Sequence, residues 1–119
     1  MRPKDFLRSC VLLLLREQPG HGYDLLERLV PLGFPRNDPG GLYRTLRSLE
    51  TDGLVRSTWE HSSAGPDRRI YQLTRAGKEE LHHRATALAR GRETVDVFLS
   101  RYGEFVSLER RVAAPRTYL

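Results

Sequence analysis

Asp38-Pro39-Gly40-Gly41-Leu42-Tyr43-Arg44-Thr45-Leu46-Arg47-Ser48-Leu49-Glu50 is the stretch on which the fold turns. It opens with a carboxylate suited to capping a helix and a proline at the first helical position, where a missing N–H costs little. An apolar period follows. At about 100° per residue, with Leu42 at the origin, Leu46, Leu49 and Thr45 fall at about 40°, 340° and 300° and form one face. Arg47, Thr51, Arg44 and Ser48 fall at about 140°, 180°, 200° and 240°, and Tyr43 flanks them at about 100°. The predicted helix is therefore apolar on one side and cationic and hydroxyl-rich on the other, with Glu50 at the edge and Gly53 as its stop.

Upstream, two further helices are predicted. The first runs from Lys4 to Glu17, with Pro3 near its first turn and Phe6, Leu7, Cys10 and Val11 to Leu15 leaving few polar positions. Gln18-Pro19-Gly20 stops it. The second, from Gly22 to Val30, carries Leu25, Leu26, Leu29 and Val30 on one stripe, and Pro31, Gly33 and Pro35 end it in a loop. His21 is expected to cap or pack at its start. Downstream, Leu54 to His61 and Arg68 to Leu73 alternate in polarity around a Gly65-Pro66-Asp67 turn, which predicts a hairpin.

A last helix begins behind Thr74, a good N-cap, and continues past Arg101. Leu81, Ala85, Leu88, Arg92, Val95, Leu99 and Tyr102 recur in steps of four and three, the seam of a helix packing on another helix. Arg90-Gly91-Arg92-Glu93 interrupts that seam, with Gly91 a natural place for a bend. Phe98, Phe105 and Val106 widen the apolar surface beyond what a small domain covers by itself, so a homodimer is expected through Leu81, Ala85, Leu88, Val95, Phe98, Leu99 and Tyr102. The competing arrangement folds this helix back on its own hairpin. The fold class expected is mainly α with a small β-hairpin: residues 1–74 a winged helix-turn-helix, residues 75–119 a dimerisation helix and tail.

Composition narrows the function. The 119 residues carry 20 Lys+Arg against 15 Asp+Glu, a net charge of +5, and 18 of the 20 cations are Arg because Lys occurs only at 4 and 78. Arginine suits phosphate and guanine because its planar fork donates two parallel hydrogen bonds. The longest apolar run, Val11 to Leu15, is far short of the roughly 20 residues a membrane span needs. No small-residue cleavage site follows it, so no secretory leader is expected. The single Cys10 reads as a small buried hydrophobe in a reducing cytoplasm. No metal or cofactor is expected: His82 and His83 point about 100° apart on a helix and cannot chelate one ion well. Nor does any motif place a base beside a nucleophile, so an enzyme is not expected.

Four segments in order resemble the PadR family of bacterial transcriptional regulators. They are His21-Gly22-Tyr23-Asp24-Leu25-Leu26, Gly41 to Glu50, Asp52-Gly53-Leu54-Val55, and Gly65-Pro66-Asp67-Arg68-Arg69-Ile70-Tyr71-Gln72-Leu73-Thr74-Arg75-Ala76-Gly77-Lys78. The resemblance implies a winged helix-turn-helix that binds double-stranded DNA as a homodimeric repressor, with the helix around Gly41 to Arg47 in the major groove. It implies phosphate contacts from Tyr23 and Tyr43, and backbone or minor-groove contacts from Arg68 and Arg69. Arg44, Arg47 and Ser48 complete the expected DNA face. Gly40 and Gly41 either let the backbone approach a phosphate or form a frayed first turn.

Two departures stand out. Arg44 occupies a position where many members carry Pro, and the only Trp is Trp59 in the hairpin rather than on the last helix. By analogy, a small-molecule effector is expected at the junction near Trp59 and Phe98. The reading from another class is a winged-helix protein-interaction module that never touches DNA; it requires an apolar rather than cationic third helix.

Overall fold

The computed structural model describes residues 3–112. In chain order it contains α1 (Pro3–Glu17), β1 (Gly20–His21), α2 (Gly22–Arg28), a 3-10 turn (Val30–Leu32), α3 (Pro39–Thr51), β2 (Val55–Glu60), β3 (Arg68–Leu73) and α4 (Arg75–Val112). The chain divides into two compact units, one up to Ala85 and one from Thr86 on, and α4 runs through both. Among the described residues, no helix is long and apolar enough to cross a membrane.

The first unit is built around α1. Cys10, Val11, Leu12, Leu14 and Leu15 are buried against Leu25 and Leu29 of the α2 segment, Leu42, Leu46 and Leu49 of α3, and Val55 and Tyr71 of the strands. Each fully buried leucine contributes about 1.5–3 kcal/mol relative to an exposed one. Leu13 is the member of the Val11–Leu15 run that faces outward. Burial pushes the Cys10 thiol up to about 11, so almost none of it is thiolate at neutral pH and it behaves as a small apolar residue.

Helix ends follow their local chemistry. Asp38 caps α3 by accepting from the Gly41 N–H at 3.0 Å. At the other end Gly53 adopts φ +76°, its N–H donates to the Glu50 carbonyl and the Leu54 N–H donates to Leu49. That pair of bonds is a Schellman closure, and it needs a residue at ease in the left-handed region. Thr74 caps α4 by accepting from the Gly77 N–H, while its own hydroxyl donates to the Gly53 carbonyl at 2.7 Å. One threonine thus ties the end of α3 to the start of α4.

Two sequence expectations change. The second helix ends at Arg28 rather than Val30: Pro31 lacks the N–H that would continue it, and Val30–Leu32 tighten into the 3-10 turn. The hairpin is joined by a third strand. Gly20 and His21 pair with Tyr71 and Ile70, giving an antiparallel sheet in the order β1-β3-β2. Two residues after a proline carry no alternation from which a strand could be read. In α4, Gly91 and Gly103 lie inside one unbroken helical segment, so neither terminates it.

Side-chain bonds fix the first unit further. The Arg28 guanidinium donates to the Leu14 carbonyl at 2.6 Å and holds α2 to the end of α1. Arg84 pairs with Glu80 at 2.8 Å and donates to the Asp5 carbonyl and the Ser9 hydroxyl, which anchors the start of α4 on α1. In the second unit, the helix exposes Val95, Phe98, Leu99, Tyr102 and Phe105 by more than half of each side chain.

Candidate nucleic-acid interface

The buried stripe of α3 is the one its periodicity predicts: Leu42, Thr45, Leu46 and Leu49 all face the core. Tyr43, Arg44, Arg47 and Ser48 are consequently outside. Packing sets this orientation, since turning the helix would expose three leucines. Arg44 and Arg47 stand over two different clefts. Arg44 borders a space of about 500 Å³ shared with Leu7, Phe34 and Asp38. Arg47 borders one of about 530 Å³ between α3 and the hairpin, whose walls include Tyr23, Tyr43, Trp59, Arg68 and Arg69.

The distribution of ion pairs separates the arginines. Arg8, Arg28, Arg36, Arg68, Arg75 and Arg84 each have a carboxylate within 4 Å. Among the described residues, Arg44, Arg47 and Arg69 have none. Their charge is left uncompensated on one face. Ser48 differs: its hydroxyl accepts from Arg8 at 2.7 Å, and Arg8 also pairs with Asp52 at 3.0 Å. That bond ties Ser48 to α1.

The tyrosines sit at the entrance of the helix-turn-helix. Tyr23, at the start of α2, is 80% exposed, whereas Tyr43 is 39% exposed because its ring covers Gly22. A Cβ at Gly22 would strike the Tyr43 ring, so glycine is required there for α2 and α3 to approach. Gly41 has a similar reason: a Cβ would run into the Asp38 carboxylate that caps its own N–H. Gly40 has no such backbone role; it faces the Arg44 guanidinium.

His21 does more than its sequence position indicated. Its Nδ1 lies 3.1 Å from Asp24, and its Nε2 lies 3.3 Å from Glu60 of β2. Glu60 in turn pairs with Arg68 across the hairpin at 3.6 Å. The imidazole therefore bridges the start of α2 to the base of the hairpin, and its hydrogen bond holds the Asp24 carboxyl below the usual carboxylate range. No sequence signal announces this bridge, because it exists only through the β1–β3 pairing.

On the hairpin, Trp59 and Arg69 are direct cross-strand partners, and the guanidinium carbon lies 5.1 Å from the indole centroid. Tyr71 is buried beneath them; desolvation raises its phenol above the ordinary value, with Arg69 beside it opposing the shift. Of the residues on the predicted dimer seam, Leu81 packs partly buried on the core of the first unit. Leu88, Val95, Phe98, Leu99 and Tyr102 belong to the second unit. Trp59 and Phe98 likewise belong to different units. Among the described residues, no group of three or more His, Cys, Asp or Glu side chains could hold a metal ion.

A short helix and a second helix turned across a Pro- and Gly-rich connection, followed by an antiparallel hairpin, define a winged helix-turn-helix. The profile of the transcriptional regulator PadR-like family matches residues 11–83, and the chain belongs to that family. It is 36% identical over 89 residues to the transcriptional regulator Rv3488 of Mycobacterium tuberculosis, covering 71% of this chain and 81% of that protein. It is 34% identical over 77 residues to the probable transcriptional regulator Rv1176c of the same organism, covering 63% of this chain but only 41% of that longer protein. Among solved structures, the PadR-like transcriptional regulator of Bacillus cereus superposes with a TM-score of 0.71 at 29% identity, over 81% of this chain and 93% of that one. The protein is a PadR-family transcriptional regulator.

Proposed function

We propose that the chain acts as a homodimeric repressor on an inverted-repeat operator in double-stranded DNA. The observation that carries this reading is the exposed, uncompensated pair Arg44 and Arg47 opposite the buried stripe of α3. Two copies joined through α4 would set two such helices about 34 Å apart, one turn of duplex, so that both enter the major groove on one side. Tyr23, Tyr43, Arg68 and Arg69 then hold phosphates and set register, while Arg44 and Arg47 read base edges. The apolar stripe of Val95, Phe98, Leu99 and Tyr102 supports the dimer, since a lone helix would leave it in water. A protein-interaction module would need an apolar outer face on α3, where this chain places two arginines.

Fluorescence anisotropy with a labelled duplex from the region upstream of the chain's own gene tests the reading. Affinity should fall about a thousand-fold or more between 50 and 200 mM salt, as expected for a dimer releasing counterions from several phosphates. Leu99→Glu should sediment as a monomer and lose operator affinity. Salt-insensitive binding, or a Leu99→Glu monomer that binds as well as the dimer, would remove the proposal.

A further inference from the structure

We infer that Trp59 is a positioning residue: its indole holds the Arg69 guanidinium in place for a backbone phosphate. This rests on the DNA reading above and adds to it a residue that reading does not use.

Burial does not account for Trp59. It is 65% exposed, on a strand whose other outward positions are Arg56, Thr58 and Glu60. Its cross-strand partner is Arg69, whose guanidinium carbon lies 5.1 Å from the ring, inside cation–π range. The neighbouring Arg68 is held differently, by Glu60. Arg69 therefore has its position fixed by an uncharged surface and keeps its full positive charge.

That distinction matters chemically. A carboxylate would occupy the N–H groups in the guanidinium plane and cancel the charge a phosphate needs. A ring engages only the flat face and leaves the in-plane donors available. Tyr71 faces the same guanidinium from below. Arg69 is thus partly ordered before DNA arrives, so less side-chain freedom is lost on contact. Both residues line the cleft that Arg47 and Tyr43 border, which puts this contact on the same face as α3.

The test is a double-mutant cycle read by duplex binding at fixed salt, with circular dichroism confirming that every variant is folded. Arg69→Ala should weaken binding about ten-fold, and Trp59→Ala about three- to five-fold, the size of an exposed cation–π contact. The double variant should be no weaker than Arg69→Ala alone, because Trp59 acts through Arg69. Trp59→Phe keeps a ring face and should recover most of the loss. Trp59 is the only tryptophan in the chain, so its emission reports this site directly and should change when duplex saturates the wild type.

Additive losses would show that the indole touches DNA on its own account and would overturn the positioning role. Wild-type affinity in Trp59→Ala, with Arg69→Ala and Arg47→Ala still weakened, would overturn it while leaving the DNA reading standing. A wild-type chain with no affinity for any duplex would sink both.

Discussion

Arg47→Ala loses about a hundred-fold in operator affinity and keeps its fold. The side chain is exposed, and no carboxylate among the described residues lies within ion-pair distance. The local bond that involves Arg47 is to its backbone carbonyl, which accepts from the Thr51 hydroxyl at 2.9 Å and survives the substitution. Alanine is also a slightly better helix former than arginine. The unfolding temperature should therefore stay within a few degrees of wild type. A bidentate contact to a base is worth about 1–3 kcal/mol, and a symmetric dimer loses it twice, which brings the expected effect to about two decades or more.

The loss should also depend on sequence. Binding to unrelated duplex changes little, because phosphate contacts from the hairpin remain, so discrimination between operator and competitor collapses. Arg69→Ala behaves in the opposite manner, weakening both duplexes alike. Anisotropy titrations against operator and scrambled duplex separate the two patterns. Arg47→Ala binding operator as tightly as wild type would remove α3 as the reading element.

Gly77→Ala destabilises the protein by about 2–4 kcal/mol, although the same change in an ordinary helix stabilises by about 1 kcal/mol. Gly77 is buried in the first turn of α4, with its N–H bound to the Thr74 hydroxyl. A Cβ there would collide with the Leu54 carbonyl oxygen and the Leu73 side chain. The carbonyl is backbone, and it already accepts from the Thr74 N–H at 3.1 Å, so it cannot swing aside as a long side chain would. Relief requires α4 to move off the end of α3, which strains the Thr74–Gly53 bond as well. For a chain of this size, the expected fall in unfolding temperature is about 10 °C, measured by circular dichroism at matched protein concentration. A variant that melts at or above wild type would mean the junction yields easily.

Much of the first unit was legible in the residues. Asp38-Pro39 and the leucines behind it announce α3 because capping chemistry and a 3.6-residue period are local properties. Val55 and Tyr71 were assigned to alternating strands, and both prove buried. The outward placement of Arg44 and Arg47 follows from the same arithmetic. Other features were hidden: β1 has two residues and pairs with partners far along the chain. Ser48 lies on the cationic face by helical angle, yet Arg8 reaches it from α1. Leu81 sits on the predicted seam, yet packs on its own unit's core.

The amino-acid order alone determined which segments are helical, which alternate, and which side of α3 carries charge, because each depends on residues within one or two turns of each other. Only the folded chain decided which arginines keep their charge and which are neutralised. Arg68 and Arg69 are neighbours in sequence, but one meets Glu60 and the other meets an indole. Pairing of that kind is set by strand register and helix packing between residues distant in the chain, which no local period encodes.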